Sequence, residues 1–240
     1  MSIFLLDKDD PRFPPAHLAS PDEDGILAIG GDYSVPRLLE AYSGGIFPWS
    51  TWRGRITWHS PDPRFVLLPE NFRVPKSLQR VLKKRPFDIT VDRAFDRVIA
   101  ACATVPRPEG GIWINRRLRA GYTAFHRAGH AHSAEAWRNG ELAGGLYGVS
   151  VCGVFCGESM FSLATDASKC AFATLAPVLF AAGCPMVDCQ TYSAHMERFG
   201  AAFMPRDEYL DRLAVAVRAR KETDWPTLAS DAAFSPRQPS

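Results

Sequence analysis

The order of the predicted elements indicates an α+β protein. Three stretches of strand character follow one another between residues 133 and 161, separated only by short turns. Helical stretches come before and after this meander instead of alternating with single strands, as they would in a doubly wound parallel sheet. We therefore predict a mixed sheet with an antiparallel centre, flanked by helices.

The bulk composition is typical of a soluble globular protein. Hydrophobic residues make up 46% of the 240-residue chain and charged residues 22%, which is enough apolar material for a substantial core. The net charge of +2 is too small to indicate nucleic-acid binding, so such a partner would need a local basic patch. The sequence has neither an apolar run near the roughly 20 residues of a membrane span nor a secretory signal. We expect no membrane association and a cytoplasmic location.

Neither the cysteines nor the histidines predict a metal site. Most of the six cysteines lie within apolar segments, where reduced, buried thiols are the usual state in the cytoplasm. Zinc ligands usually come in closely spaced pairs on turns, and the cysteines here lie in or beside strands. His130 and His132 share a strand face and could be joined by Glu135, but a hydrogen-bonding role is favoured. We predict no metal and no cofactor.

Residues 1–62 are predicted to form a small N-terminal α/β subdomain that is rich in turns. One helix is well marked, with Ser34 as its N-cap, Pro36 in the first turn and Gly44 at its end. Trp49 follows it, and is interpreted either as part of a packed core or as an aromatic wall for a flat ligand. The apolar residues of the helix share one face: Leu38, Leu39 and Tyr42.

Residues 63–220 are predicted to form the larger domain, and residues 221–240 a loose, flexible C-terminal tail. Strands are predicted at 64–68, 88–91, 133–138, 141–151, 153–161, 185–190 and 201–204. Helices are predicted at 75–84, around 95–102, after Asn115, and at 168–182, 193–199 and 206–218. The Asn139-Gly140 pair between two strands suits a two-residue type I′ turn.

Three polar residues stand in otherwise apolar strands and are the candidates for chemistry. Glu158 lies within the third strand of the meander, and Asp188 and Gln190 end a later strand. Side chains two residues apart on a strand share a face, so Asp188 and Gln190 are predicted to point the same way. Buried polar groups are costly unless they are paired, which favours a working site. The alternative is a buried structural hydrogen-bond pair.

A second candidate surface is the helix at 75–84 together with the residues just before it. Its cations fall on one side and its apolar residues on the other, and no acidic residue interrupts the stretch. Converging cations without counter-charges are typical of phosphate binding, whereas a merely solvated face is the alternative. The predicted phosphate-binding residues are Arg73, Lys76, Arg80, Lys83 and Lys84.

Eight ordered blocks of the sequence resemble leucyl/phenylalanyl-tRNA–protein transferases. The resemblance extends from about residue 13 to residue 213. The chain departs from the family's usual residues at Ser50, His59 and Ser193, and Ser193 also fits as a helix N-cap. The matching blocks are 25–32, 45–49, 60–64, 129–133, 144–149, 157–162, 167–169 and 188–190.

The resemblance implies a small N-terminal domain joined to a domain with the acetyltransferase-like (GNAT) fold. It also implies transfer of leucine or phenylalanine, with methionine as a further candidate, from aminoacyl-tRNA to proteins that begin with Arg or Lys. The product would be marked for degradation by the N-end rule. The partners would be aminoacyl-tRNA and the acceptor protein, and we expect a monomer. No cofactor is required, because the ester of aminoacyl-tRNA is already activated.

Under this resemblance the three polar residues acquire roles. The Gln190 carbonyl can accept a hydrogen bond from the attacking amine, and Asp188 can orient Gln190 or take the proton. Glu158 and Asp188 can also hold the cationic side chain of the acceptor, so two roles of Asp188 stay open. The residues predicted to bind the aminoacyl group and the terminal adenosine are Trp49, Trp113, Leu146, Phe155, Met160, Ser162 and Val187.

Two other functions are weighed against this one. An acetyl-CoA-dependent N-acetyltransferase would need a glycine-containing turn for the cofactor's pyrophosphate, but residues 163–168 contain no glycine. A non-enzymatic RNA-binding protein would account for the basic helix and would leave the three buried polar residues without a purpose. The aminoacyltransferase is the favoured interpretation.

Overall fold

The computed structural model describes residues 3–21, 24–104, 114–231 and 234. The described residues form two mixed sheets and eight α-helices, so the α+β prediction is confirmed. Among these residues no helix has the length and apolar character that would let it cross a membrane.

The first sheet is built from the N-terminal part of the chain. It contains β1 (Phe4–Leu6), β2 (Ile26–Gly30), β3 (Phe47–Trp52) and β4 (Arg55–His59), and helix α1 (Val35–Ser43) lies between β2 and β3. The strand order is β1-β2-β4-β3, with β1 and β2 parallel and the other pairs antiparallel. The predicted helix is confirmed. The four strands were not predicted, because they are short and depend on partners elsewhere in the sheet.

The second sheet has seven strands, in the order β11-β5-β10-β9-β8-β7-β6. Only β9 and β10 pair in parallel. Its strands are β5 (Arg64–Leu67), β6 (Asp88–Val91), β7 (Ala131–Arg138), β8 (Glu141–Val151), β9 (Val154–Ser162), β10 (Val187–Gln190) and β11 (Ala202–Met204). Its helices are α2 (Lys76–Lys83), α3 (Phe95–Thr104), α4 (Arg116–Arg127), α5 (Ala167–Ala181), α6 (Ala194–Phe199), α7 (Arg206–Ala219) and α8 (Trp225–Ala229).

Local signals place several of these boundaries. Asn139 and Gly140 have φ angles of 54° and 77°, as a type I′ turn requires, so the predicted hairpin is confirmed. The Asn115 side chain accepts a hydrogen bond from the Leu118 N–H at 3.0 Å and starts α4. Ser193 starts α6 in the same way through the Met196 N–H, at 3.4 Å. Helix α5 continues through Pro177.

The seven-stranded sheet is buried on both faces. One face packs against α3, α4, α7 and the N-terminal sheet in a single apolar cluster that includes Trp58, Tyr122 and Leu213. The other face packs against α2, α5, α6 and α8 in a second cluster. Because the first cluster joins residues from both sheets, the N-terminal residues contribute directly to the centre of the molecule. The division at residue 62 falls between the two sheets and stays a prediction.

The described part of the C-terminal segment is not a loose tail, so that prediction is wrong for residues 221–231. This segment forms α8, in which Trp225 and Leu228 are buried, and Phe234 is buried beyond it. Asp224 caps α8 by accepting a hydrogen bond from the Thr227 N–H at 3.1 Å. Apolar residues at these spacings outweigh the polar average on which the prediction rested.

Candidate active site

A cavity of about 590 Å³ opens where two neighbouring strands separate. Strands β9 and β10 pair over only two positions, Val187 with Phe155 and Asp188 with Cys156. Beyond these positions β9 continues to Ser162 while the chain leaves β10 toward α6. The cavity lies in the resulting gap, lined by residues 157–160 on one side and 189–196 on the other.

The polar end of the cavity is a linked group of Glu158, Gln190 and two tyrosines. Gln190 Nε2 donates a hydrogen bond to Glu158 Oε1 at 2.7 Å. Tyr42 of α1 donates to the same oxygen at 2.7 Å, and Tyr122 of α4 donates to Oε2 at 3.1 Å. Glu158 is therefore held by the N-terminal part of the chain, by α4 and by the end of β10 at once.

The surroundings of Glu158 change its pKa. The Tyr42 and Tyr122 hydroxyls contact each other as well as the carboxylate. Burial raises the pKa of Glu158 to about 7, although the hydrogen bonds from Tyr42, Tyr122 and Gln190 act to lower it. The site therefore holds a carboxyl group that titrates near neutral pH.

Asp188 and Gln190 end the same strand but have different surroundings, and whether their side chains share a face stays a prediction. The pairing of β10 shifts by a bulge between the two residues, and Gln190 has a φ of 64° in the left-handed region. The bulge breaks the simple alternation of a strand. Gln190 lines the cavity, whereas Asp188 is fully buried and is not among the lining residues.

The Asp188 carboxylate is fully engaged by other side chains. It forms a two-pronged ion pair with Arg64, at 2.9 Å from Nε to Oδ1 and 2.7 Å from Nη2 to Oδ2. Tyr209 donates a third hydrogen bond at 2.9 Å. The Arg64 guanidinium also lies over the rings of Phe47 and Tyr209, at 4.8 and 4.6 Å. Burial lowers the pKa of Arg64, but the Asp188 carboxylate outweighs this and raises it.

Asp188 nevertheless acts on the cavity through the backbone. Its Oδ1 accepts a hydrogen bond from the Gln190 N–H at 2.8 Å. This contact stabilises the left-handed turn that sends the Gln190 side chain toward Glu158. Of the roles left open for Asp188, this contact fits orientation of Gln190, while proton transfer and binding of the acceptor side chain stay predictions.

The predicted binding residues fall into three groups. Leu146, Phe155, Met160 and Val187 all line the cavity. Trp49 and Ser162 do not: Trp49 is half-buried edge-on to His59, at 5.1 Å, and the Ser162 hydroxyl pairs with Ser168 at the start of α5, at 2.8 Å. Trp113 lies outside the described residues.

Several residues of the site were not predicted. Tyr42 and Tyr122 were expected only as apolar faces of their helices, and nothing local in the sequence shows that their hydroxyls meet at Glu158. Arg64 and Tyr209 lie 124 and 21 residues from Asp188. The cavity is further lined by Phe172 of α5 and by residues of the β10–α6 segment, which include Tyr192, His195 and Met196. Polar and aromatic residues close to Gln190 in sequence were the available signal for the last group.

The predicted phosphate-binding residues form an exposed surface next to the cavity. Arg73, the three cations of α2 and Lys84 directly after it are exposed, while Leu78 faces inward. The start of α2 borders a small recess that also contains Asp166, Lys169 and Arg198, and there Lys169 forms an ion pair with Asp166 at 2.7 Å. His195 lines both this recess and the main cavity. Burial, Lys169 and Arg198 lower the pKa of His195 to about 4, so its imidazole is neutral at the junction.

The cysteines are all free, as predicted. Within the described residues, Asp92, His126 and His132 bring ligand-type atoms close together. Each already has a hydrogen-bond partner: His132 contacts Asp92 at 2.7 Å and the Gly129 carbonyl at 3.0 Å, and His126 contacts the Ala131 carbonyl at 2.7 Å. These contacts explain the group as a structural network around β7. His132 thus has the hydrogen-bonding role that was favoured over a metal pair with His130 and Glu135.

The fold and the site together define a class of protein: an α+β protein whose sheet opens into an apolar cavity that ends in a Glu–Gln pair. Two family models match the chain and identify its family. The model described as leucyl/phenylalanyl-tRNA protein transferase matches residues 66–214, and the model of the corresponding N-terminal domain matches residues 31–62. The chain belongs to the leucyl/phenylalanyl-tRNA–protein transferase family.

Relatives agree over nearly the whole chain. A leucyl/phenylalanyl-tRNA–protein transferase from Myxococcus xanthus is 48% identical over 91% of this chain and 93% of its own length. One from Pseudoalteromonas atlantica is 50% identical over the same shares. A conserved protein of unknown function from Staphylococcus epidermidis is similar in structure at 13% identity and a TM-score of 0.34, over 56% of this chain and 66% of that one. That similarity is too weak to bear on the fold.

Proposed function

We propose that the protein transfers leucine or phenylalanine, with methionine as a further candidate, from aminoacyl-tRNA to the α-amino group of proteins that begin with Arg or Lys. The observation that carries the proposal is the Gln190–Glu158 pair at the polar end of an apolar cavity. The reaction would take place in the cytoplasm and mark the acceptor for degradation by the N-end rule. We propose that the protein acts as a monomer.

The apolar part of the cavity suits the side chain of the transferred amino acid. Five of the residues that line it are apolar: Leu146, Phe155, Met160, Phe172 and Val187. An aliphatic or aromatic side chain can therefore bind there without desolvating a charged group. Apolar pockets distinguish side chains by roughly 1–3 kcal/mol per methylene. Acceptance of more than one apolar amino acid follows from such a lining.

Gln190 is the group that orients the attacking amine. Its Nε2 is committed to Glu158, so Oε1 is the atom left to accept a hydrogen bond from the amine. The amine nitrogen then forms a bond to the ester carbonyl carbon as the bond to the tRNA 3′-oxygen breaks. One amine proton is lost and the 3′-oxygen gains a proton. Positioning supplies much of the rate, because the donor is already an activated ester.

Glu158 is the group that manages charge. When ionised, it attracts the cationic N-terminus and side chain of the acceptor. Its pKa of about 7 is close to the pKa of an α-amino group, about 8, so the carboxylate can take a proton from the incoming ammonium with little cost. Asp188 is a positioning residue that acts through Arg64, Tyr209 and the Gln190 backbone.

The exposed cations of α2 serve as the contact for the tRNA backbone. The start of α2 borders the recess that contains Arg198 and the Lys169–Asp166 ion pair, and this recess adjoins the cavity through His195. A polyanion held there would be able to place its aminoacylated end in the cavity. Trp49 is retained as a candidate for stacking on the terminal adenine, at about 1–3 kcal/mol.

We also propose that the larger domain has the acetyltransferase-like (GNAT) architecture. The support is the antiparallel meander β7-β8-β9, followed by α5 and by a parallel strand that separates from β9 to make the cavity. The N-terminal sheet would be a separate small domain that contributes Tyr42.

One assay tests the function. The protein is incubated with labelled Leu-tRNA, labelled Phe-tRNA or labelled acetyl-CoA, and with peptides that differ only in a first residue of Arg, Lys or Gly. We expect both aminoacyl-tRNAs to label the Arg and Lys peptides. The Gly peptide and the incubation with acetyl-CoA are the controls and should give no label. Transfer from acetyl-CoA would identify an acetyltransferase, and binding of tRNA without any transfer would identify an RNA-binding protein.

A further inference from the structure

We propose that Trp225, in the C-terminal segment, positions Phe155 and thereby sets which amino acid the cavity accepts. The inference rests on the proposed function of the cavity. The segment lies beyond residue 214, where the family model's match ends. Trp225 does not line the cavity itself, so its effect is that of a positioning residue.

Phe155 connects the C-terminal segment to the cavity. Its ring centroid lies 5.8 Å from that of Trp225, at an interplanar angle of 45°. Phe155 also lines the cavity, while only 1% of its surface is exposed. One part of the ring therefore faces the space for substrate, and another part faces the indole of Trp225.

The sheet beneath Phe155 leaves its ring few ways to move. A Cβ atom at Gly148 would come within 2.5 Å of Phe155 Cζ, so the ring lies directly over the backbone of β8. Val187 pairs with Phe155 on the neighbouring strand and is buried. With the strand below and Val187 beside it, the ring can relax toward the cavity or toward the volume that Trp225 fills.

Trp225 is itself held on a rigid base. Its ring stacks on His132 with centroids 3.9 Å apart and planes within 5°. Hydrogen bonds fix the His132 ring at both nitrogens, to Asp92 at 2.7 Å and to the Gly129 carbonyl at 3.0 Å. The position of the indole is thus set by the strands of the sheet, so it can act as a fixed stop for Phe155.

The rest of the segment docks by contacts that do not involve Phe155. Glu222 accepts a hydrogen bond from the Cys152 N–H at 3.1 Å. Asp224 caps α8, and Leu228 is 5% exposed in the same apolar cluster. These contacts allow the loss of the Trp225 ring to be separated from the loss of docking.

The consequence concerns the size of the cavity. Removing the indole opens space behind Phe155, the ring moves into it, and the cavity gains depth. A deeper apolar pocket favours a larger side chain, and a change of one methylene in such a pocket alters selection by 10-fold or more. Trp225 therefore limits the cavity to side chains of a particular size.

The test measures kcat/KM for Leu-tRNA and Phe-tRNA with the wild type, Trp225→Ala, Trp225→Phe and Leu228→Ala. We expect Trp225→Ala to raise the ratio of phenylalanine to leucine transfer about tenfold, the scale of one methylene in an apolar pocket. Trp225→Phe should shift the ratio in the same direction by less. It breaks no hydrogen bond, because the indole Nε1 has no partner among the described residues. Leu228→Ala should lower stability and leave the ratio unchanged.

Two results would overturn the inference while the proposed function stands. One is a wild type active with both donors and an unchanged ratio in both Trp225 variants. The other is an equal shift of the ratio in Leu228→Ala, which would assign the effect to docking of the segment. If Trp225→Ala does not fold, the ratio in Trp225→Phe decides. A wild type inactive with both donors would refute the proposed function, and the inference with it.

Discussion

Glu158 and Asp188 are two buried carboxyl groups on adjacent strands whose surroundings differ in one essential respect. Asp188 faces the Arg64 guanidinium and a tyrosine, and neither oxygen reaches the cavity. Glu158 has only neutral donors around it, Tyr42, Tyr122 and Gln190, and it lines the cavity. A paired charge is a structural element, whereas an unpaired carboxyl group near neutral pKa can exchange a proton with a substrate.

The comparison also separates two ways in which a carboxyl group can hold Gln190. Asp188 acts at a distance, by holding the Gln190 N–H and so the turn at the end of β10. Glu158 acts on the same glutamine directly, by holding its side-chain amide. Gln190 is therefore fixed at its backbone by one carboxylate and at its side chain by the other.

The largest expected effect comes from breaking the Asp188 pair. Arg64→Met leaves Asp188 buried without its cation, and loss of one partner of a buried ion pair costs about 3–5 kcal/mol. Urea unfolding of the variant measures this. The double variant Arg64→Met with Asp188→Asn should recover part of the loss. A free energy of unfolding within about 1 kcal/mol of wild type would mean that the pair is not the structural element described.

The second prediction concerns the proton on Glu158. The raised pKa means that the folded protein holds this proton more tightly than the unfolded chain, whose glutamate has a pKa of 4.5. The resulting stability is fully present below about pH 4.5 and is lost as the pH rises through about 7, by up to about 3 kcal/mol. The difference in unfolding free energy between wild type and Glu158→Gln, measured from pH 4 to 8, isolates this contribution. A difference independent of pH would remove the contrast between the two carboxyl groups.

The third prediction tests whether Gln190 is the shared target of both carboxylates. Gln190→Ala should lower kcat about 100-fold, the scale of losing a positioned hydrogen-bonding group in an active site. Its melting temperature should stay close to that of the wild type. Glu208→Gln, on the exposed face of α7 and away from the cavity lining, is the control and should keep its activity. Full activity of Gln190→Ala would remove the glutamine from the reaction.

The smallest effect on the rate of the transfer step should come from changing exposed cations at the end of α2, which are part of neither carboxyl site. The double variant Lys83→Glu with Lys84→Glu, at the end of α2, should weaken tRNA binding. The slope of log affinity against log salt concentration should fall by the amount expected for the loss of about two phosphate contacts. The single-turnover rate of bound donor should be unchanged. Glu141→Lys, on the exposed end of β8, serves as a charge-change control. An unaltered affinity and salt slope would place the tRNA elsewhere.

Much of the local structure was predictable because its causes are local. The Asn139-Gly140 turn, the Asn115 cap and the periodic apolar faces of α1, α3 and α4 depend on residues within a few positions of each other. The short strands β1 to β4 were missed because each needs a distant partner. The loose tail was predicted from a polar average, and that average concealed three well-placed apolar residues in the segment.

For the site, too, the residues with a local signal were predictable and those that depend on distant partners were not. Glu158 and Gln190 were identified from polarity inside apolar strands, and four of the predicted apolar residues line the cavity. The partner of Asp188 and the two tyrosines on Glu158 were not identifiable, since contacts across 124, 116 and 36 residues leave no periodic trace in the chain. The register shift between Asp188 and Gln190 was not predictable, and only Gln190 of the two lines the cavity.

By itself, the sequence determined the class of fold, most helices and strands, the family and the residues able to carry the chemistry, because these depend on residue type and short-range order. Only the tertiary structure decided which carboxyl group meets a cation and which meets neutral hydroxyls. That choice sets the protonation of each group, since the pKa of a buried carboxyl depends on the charges and donors that folding brings to it.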